Sequence, residues 1–475
     1  MADQIRRLLR HGPSDDPVPD RRGLRRHRHG TARPRAGDPG MSNIVIGLIG
    51  TACLFGGILL GINVMVVLGL VGAFGLASLV GFKAATALLS TVFFETTNSF
   101  HFSVIPLFLL MGFFAMRAGL GEDLFEATTR WLGNLRGGLA ISTTMGAAAF
   151  GAASGSSVGT ATVFTKLALP QMLDRGYDKS LASASIAIAG TLAVMIPPSA
   201  LVVVYGILTD SSIGALLIAG FIPGIVFAVI LCLAIWLTVL RRPELAPVDT
   251  AHYTVREKLA ALRLAGPLVL IIFCIVAGLY AGIFTPTEAG GVGAGLTFLL
   301  AILRHRGLAG VKLGDTLLET IRTTAMIFGI LIAALLFSKF LALSGLANAV
   351  GGYLTGLDVA PWVIVVLVSL IYLALGMMMD APALLAITLP ITHPVMMDLG
   401  YDPIWFGVFV VLLVEIGAVT PPVGINCFVV QAASGGRIKL EDVFKGLIPF
   451  VLAGFAMLLI LYLFPQLALF LPTRM

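Results

Sequence analysis

Pro170-Gln-Met-Leu-Asp-Arg-Gly-Tyr-Asp178 returns later in the chain as Pro394-Val-Met-Met-Asp-Leu-Gly-Tyr-Asp402, with six of nine positions identical at an offset of 224 residues. The same offset carries Ile196-Pro-Pro-Ser199 onto Thr420-Pro-Pro-Val423. At an offset of 226, Ile222-Pro223 maps onto Ile448-Pro449 and Gly119-Leu120 onto Gly345-Leu346. Further upstream, Val71-Gly-Ala73 maps onto Val292-Gly-Ala294 at 221. Separate motifs in one order, with slowly drifting offsets, mark an internal repeat. The first copy is read as residues 41–240 and the second as 267–470, joined by a polar cytoplasmic linker at 241–266.

The material between these motifs belongs in a bilayer. Of the 475 residues, 58% are hydrophobic and 12% charged, against about 25% charged in a soluble domain. Ile44–Leu60, Ile213–Leu240 and Leu447–Phe464 are apolar runs of the length a membrane span needs. Such a composition excludes a soluble enzyme and a nucleic-acid-binding module. The four cysteines, Cys53, Cys232, Cys274 and Cys427, sit inside apolar runs without a CxxC and read as buried free thiols. No metal-ligand spacing occurs. Residues 1–40 differ: they hold ten Arg, five Asp, three His and five Pro and no apolar run. They are expected to form a disordered tail outside the native fold, with Met41 opening the membrane part.

Counting crossings gives the orientation. The first copy has apolar segments near 44–61, 63–82, 100–118, 181–208 and 213–240. Between the third and fourth lies an apolar stretch at 137–173, broken at Ser154-Gly-Ser-Ser157, which reads as a re-entrant hairpin. Five crossings is an odd number, so the second copy must be inverted. With the N-terminus outside, 18 Lys and Arg of residues 41–475 fall on the inner side and three, Lys83, Lys339 and Arg474, on the outer side, as the positive-inside rule demands. The expected fold is an all-α polytopic membrane protein of two inverted repeats, with about ten full spans, two hairpins (137–173 and 361–395) and both ends outside.

The chemistry is expected where helices break. Pro197-Pro198 interrupts the segment 181–208, and Pro421-Pro422 the segment 403–432. Two consecutive prolines remove backbone donors and clash with the preceding turn, so the helix must unwind. Free carbonyls at bilayer depth are tolerated only where protein or a polar cavity satisfies them. Broken helices paired across an inverted repeat point to a binding site. The hairpin tips point the same way: Ser154-Gly-Ser-Ser157 corresponds to Met378-Met-Asp-Ala381. Carbonyls and hydroxyls suit a hard cation such as Na⁺, and helix N-termini attract a carboxylate. Asp380 is the acid expected to act, since an intramembrane carboxylate costs about 2.5–3.5 kcal/mol on insertion scales; the alternative is a tip that reaches water. Glu415 fits a ligand, a proton site or a structural acceptor. Asn426 fits a substrate contact or a helix bridge, and Glu95 and His101 a solvated rim.

Gly151-Ala-Ala-Ser-Gly-Ser-Ser157, Ile196-Pro-Pro-Ser199, Gly282-Ile-Phe-Thr-Pro-Thr-Glu-Ala289 and Glu415-Ile-Gly-Ala-Val-Thr-Pro-Pro-Val-Gly424 together resemble the large, DctM-like membrane subunit of the tripartite ATP-independent periplasmic (TRAP) transporters, over residues 41–470. The resemblance implies import of an organic acid, such as a C4-dicarboxylate or sialic acid, across the bacterial inner membrane. A Na⁺ gradient would drive symport by an elevator motion. It also implies three partners besides membrane lipid: a periplasmic substrate-binding protein, a separate four-helix small membrane subunit and the organic acid itself. No cofactor is implied beyond Na⁺ as coupling ion, and no enzymatic activity. Carried over by position, one Na⁺ site would use Ser154, Ser157, Ile196 and Ser199, and a second Asp380, Thr420 and Val423. Ile196 and Val423 would offer only carbonyls. Substrate contacts would fall to Ser156, Ser157 and Asn426.

Three rivals stand beside this reading, one of them a non-transporting scaffold, which would not require two mirrored broken helices. A stand-alone Na⁺- or H⁺-coupled carboxylate symporter would share the repeat and the hairpins, and would differ in needing no binding protein. An intramembrane hydrolase would use Ser154-Gly-Ser156 as a nucleophile turn and His393 as base, which requires the two within hydrogen-bond reach.

Overall fold

The computed structural model describes residues 41–247, 253–305, 307–356 and 359–475; the Arg-rich residues 1–40 lie outside them. Among the described residues all regular structure is helical. The first part of the chain forms α1 (Met41–Leu59), α2 (Val64–Val80), α3 (Phe82–Asn98), α4 (Val104–Arg117), α5 (Leu120–Leu132), α6 (Gly138–Ser154), α7 (Ser157–Asp174), α8 (Lys179–Met195), α9 (Ala200–Thr209), α10 (Ile213–Ala219) and α11 (Phe221–Arg241). The second forms α12 (Val255–Tyr280), α13 (Pro286–His305), α14 (Leu313–Ser344), α15 (Leu346–Gly356), α16 (Pro361–Gly376), α17 (Ala381–Asp398), α18 (Pro403–Gly417), α19 (Ile425–Ala433) and α20 (Leu440–Leu463).

Five segments are long and apolar enough to cross a membrane without a break: Ile213–Arg241, Val255–Tyr280, Pro286–His305, Leu313–Ser344 and Leu440–Leu463. Two helix pairs qualify only when taken together, α4 with α5, bent by 64°, and α8 with α9, bent by 48°. α1, α2, α16 and α18 are shorter apolar helices. Exposed Leu, Ile, Val and Phe run along the outer helices, Phe74 at 71% and Phe273 at 66% exposure among them. Water would not tolerate so much apolar surface; lipid does. The chain is a multi-pass membrane protein.

Helix starts follow the local sequence. Asp178 caps α8 by accepting from the Ser180 N–H at 2.8 Å, and Asp402 caps α18 by accepting from the Ile404 N–H at 2.8 Å. These are the aspartates that end the two repeated nonapeptides, so the motif is a hairpin exit followed by a helix cap. Two helices lie where the sequence reading placed none. α3 follows Gly81, and α5 follows the left-handed Gly119. α5 is amphipathic, with Leu124 and Phe125 buried and Glu126 and Trp131 exposed; too few apolar residues run consecutively for it to look like a span. α12 begins at Val255, inside the stretch read as linker, because Thr254 and Glu257 form a capping box.

Packing divides the molecule into two cores. The smaller joins α1, α2 and α3 to the second half of α14 and to α17, around Leu68, Phe337 and Phe340. The larger holds both broken helices and the first hairpin. α8 is its centre: every residue from Leu181 to Ala200 is buried. At one end of the bundle, Arg304 pairs with the buried Asp123, the Nη2–Oδ1 distance being 2.7 Å. Nearby, His305 Nε2 lies 2.8 Å from the Arg117 carbonyl, and Trp131 Nε1 donates to the Lys258 carbonyl at 2.9 Å.

Candidate binding site at the helix breaks

Each half contains a helix–turn–helix hairpin packed on a broken helix. In the first, α6 and α7 turn at Gly155, whose φ of +58° is left-handed and suits glycine. The tip lies on the break of α8 and α9, since a Cβ on Gly155 would sit 3.2 Å from the Pro198 carbonyl oxygen. In the second, α16 and α17 turn at Met377–Asp380, and the Gly424 N–H at the break donates to the Met377 carbonyl at 3.3 Å. Both Pro-Pro bonds, Pro197-Pro198 and Pro421-Pro422, are cis.

The same close approach fixes both pairs. A Cβ on Gly151 of α6 would stand 2.3 Å from Ala193 Cα of α8, and one on Gly417 of α18 would stand 2.9 Å from Gly376 Cα of α16. Gly151 and Gly376 are 225 residues apart, Ala193 and Gly417 are 224 apart. The repeat legible in the sequence is therefore also a repeat of backbone contact.

The two pairs meet at one cavity of about 300 Å³. Its wall takes Gly155, Ser156, Ser157 and Val158 from the first tip, and Met379, Asp380, Ala381 and Pro382 from the second. The broken helices add Val194, Ala200, Leu201 and Val204, and Glu415, Ala418, Ile425 and Asn426. Four helices thus begin at this wall: α7 at Ser157, α9 at Ala200, α17 at Ala381 and α19 at Ile425. Each helix N-terminus carries unsatisfied N–H groups and about half a positive charge. Four together favour an anion, and Asp380 and Glu415 bring carboxylates into the same space.

Capping differs among the four. Ser156 caps α7, accepting from the Gly159 N–H at 3.1 Å, and Ser199 caps α9, accepting from the Val202 N–H at 3.4 Å. α17 and α19 have no side-chain cap. Ser154 Oγ is engaged with Thr160 Oγ1 at 2.7 Å. Thr420 Oγ1 donates to the Ile416 carbonyl at 2.6 Å.

Of the residues singled out from sequence, Ser156, Ser157, Asp380, Glu415 and Asn426 line the cavity. Ser154, Ile196 and Ser199 are buried behind the first tip, and Thr420 and Val423 lie on the second break, outside the cavity wall. Asn426 is 1% exposed, and neither its Oδ1 nor its Nδ2 has a hydrogen-bond partner. Glu415 is equally buried; the Ser157 hydroxyl lies beside it, while its Oε2 is unpartnered. Buried polar groups of this kind are costly unless something satisfies them. His393 stands elsewhere, against Tyr205 and Phe406 with ring centroids 6.2 and 6.4 Å away, and does not line the cavity that holds Ser156. Among the described residues, no three His, Cys, Asp or Glu side chains group as metal ligands. The sequence reading missed Leu109 of α4 and Thr323, Met326 and Ile327 of α14, which close the cavity. They lie in unbroken apolar helices and carry no local signal.

Residues 51–467 match the family described as the tripartite ATP-independent periplasmic transporter, DctM component. The C4-dicarboxylate TRAP transporter large permease protein of Pseudomonas aeruginosa is 34% identical over 380 residues, 80% of this chain and 88% of that one. The isethionate TRAP transporter permease protein of Oleidesulfovibrio alaskensis is 31% identical over 405 residues, 83% of this chain and 62% of that one. The crystal structure of the Alcanivorax borkumensis YdaH transporter superimposes with a TM-score of 0.57 at 15% identity, covering 91% of this chain and 98% of that one, a likeness of fold. On its repeated motifs, its helical architecture and these matches, the chain belongs to the DctM family, the large permease component of the tripartite ATP-independent periplasmic transporters.

Proposed function

We propose that this chain imports an organic acid across the bacterial inner membrane, driven by a Na⁺ gradient, as the large subunit of a binding-protein-dependent system. The observation that carries the reading is the convergence of four helix N-termini on one cavity of about 300 Å³. Such a site favours a carboxylate or sulfonate over a neutral or cationic solute. Relatives named for C4-dicarboxylate and for isethionate transport suit that chemistry. Asn426, with four hydrogen-bonding positions unused, and Ser156 and Ser157 would orient the substrate. Na⁺ would bind where tip and break touch, by oxygens of Ser154, Ser157, Ile196 and Ser199 in one half and of Asp380, Thr420 and Val423 in the other.

The two halves are read as inverted. The C-terminal end of α11 lies beside the N-terminal end of α20, its counterpart in the repeat, which favours that reading. Arg117, Lys258 and Arg304 gather at one end of the bundle, the end assigned to the cytoplasm, with both termini at the other. Hairpins and broken helices would move as one body against a scaffold of α1, α2 and α14. A periplasmic binding protein would deliver the substrate and a small membrane subunit would brace the scaffold.

The test is uptake into proteoliposomes holding this chain and its small subunit, with the binding protein outside. Accumulation of a labelled organic acid that requires both an inward Na⁺ gradient and the binding protein supports the reading. Accumulation without the binding protein would make the chain a stand-alone symporter. A second coupling has its own observation: the buried Glu415 with one unpartnered oxygen could carry a proton instead. Uptake driven by a pH gradient without Na⁺, and lost in Glu415→Gln, would establish that alternative.

A further inference from the structure

We propose that the groove between α11 and α20 holds an acidic diacyl phospholipid of the cytoplasmic leaflet. This groove has a volume of about 630 Å³ and is separate from the cavity at the helix breaks. Its length is apolar, with Leu237, Ile448 and Leu452 on its walls at 39%, 66% and 62% exposure. Its end is basic: Arg241, Arg242 and Lys445 line it, and all three are exposed.

The arrangement follows from the antiparallel packing of the two helices. Arg241 and Arg242 end α11 and Lys445 stands in the second turn of α20. Both ends lie at the start of α8, since the Leu245 carbonyl accepts from the Asp178 N–H at 2.9 Å and a Cβ on Gly446 would sit 2.1 Å from the Ser180 carbonyl oxygen, so the three cations share one level. From that level Leu237 lies one turn away along α11, and Ile448 and Leu452 one and two turns away along α20. The result is a charged head region opening into an apolar channel. Glu244, Glu441 and Asp442 are the nearest carboxylates in sequence, and none lines the groove. Asp442 is engaged with the Lys439 N–H at 3.0 Å. Among the described residues none of the three cations makes an ion pair. Three like charges on one groove repel one another until an anion joins them. A phosphodiester suits them, since arginine binds phosphate oxygens with two parallel donors.

A phospholipid supplies that anion and the apolar chains in one molecule. The excess of Lys and Arg puts this end of the bundle at the cytoplasmic face, and a basic pocket between transmembrane helices on that face is the setting in which acidic lipid headgroups bind. A transmembrane helix of another subunit is the competing occupant; it would need its own acids at this level to neutralise the same charges.

The full chain in detergent, titrated with phosphatidylglycerol or phosphatidylcholine and followed by native mass spectrometry, tests it. In Arg241→Gln/Arg242→Gln/Lys445→Gln, phosphatidylglycerol affinity is expected to fall by about 100-fold, roughly fivefold per cation near the membrane surface, and phosphatidylcholine binding to stay as it was. Leu452→Trp, which fills the groove from an exposed position, is expected to displace phosphatidylglycerol with the charges intact. Arg256→Gln/Arg263→Gln, on the same side but outside the groove, should leave it bound. Wild-type phosphatidylglycerol affinity in the triple variant would overturn the proposal. So would one-for-one displacement of the lipid by inorganic phosphate, which would mark a free-anion site. Efficient crosslinking of Leu452→Cys to the small subunit in membranes would assign the groove to a helix instead.

Discussion

In the first repeat the helix break is sealed; in the second it is open. Ile196 to Ser199 are all buried, and Ser199 closes the start of α9 with its own hydroxyl. At the corresponding Thr420–Val423 both prolines are exposed, and α19 starts on Gly424 without a side-chain cap. The tips differ in the same sense. Ser154 and Ser156 spend their hydroxyls on Thr160 and on the Gly159 N–H, whereas Asp380 leaves α17 uncapped and faces the cavity. The buried atoms of the cavity wall that lack a hydrogen-bond partner, Oε2 of Glu415 and both amide atoms of Asn426, belong to the second half. One device, hairpin on broken helix, is finished in one copy as internal structure and in the other as a surface with unmet hydrogen bonds. Polar groups already satisfied contribute stability; those left open are where a ligand gains most.

The largest difference between the two halves is expected at their close-packed glycines. Gly151→Ala places a methyl 2.3 Å from the Ala193 backbone and is expected to cost about 3 kcal/mol. Gly417→Ala, at 2.9 Å from Gly376 Cα, should cost less; chemical unfolding of the two variants compares them. Equal losses would mean that the two halves are packed alike.

Asn426→Leu should separate function from stability. Removing two unpartnered buried polar atoms is expected to stabilise the protein by about 1–2 kcal/mol while uptake falls at least tenfold. Lower stability would show that Asn426 bridges helices rather than serving substrate.

Na⁺ at tenfold its dissociation constant should stabilise the chain by about 1.4 kcal/mol, read as a higher unfolding midpoint in NaCl than in KCl at equal ionic strength. Asp380→Ala should reduce that difference more than Ser157→Ala, if the open half holds the more accessible ion. Identical midpoints in the two salts would remove Na⁺ from the proposal.

The smallest effect is expected at the sealed break. Ser199→Ala removes a cap and should cost about 1 kcal/mol, with Thr420→Ala changing stability less, because the Thr420 hydroxyl bonds back to its own helix at Ile416. A larger loss at Thr420 would reverse the assignment of sealed and open halves.

The sequence carries the membrane class, the repeat, the hairpins and the two breaks. These rest on apolar run length, on motifs that recur in one order, and on consecutive prolines that cannot continue a helix. It also singled out Ser156, Ser157, Asp380, Glu415 and Asn426, because polar groups are rare enough in a bilayer to be noticed. Tertiary packing alone brings four helix N-termini to one cavity and lets α4 and α14 close its wall with Leu109 and Thr323. These depend on contacts between segments more than 200 residues apart. An apolar helix shows the same pattern whichever neighbour it meets, so its partner becomes known only when the helices pack.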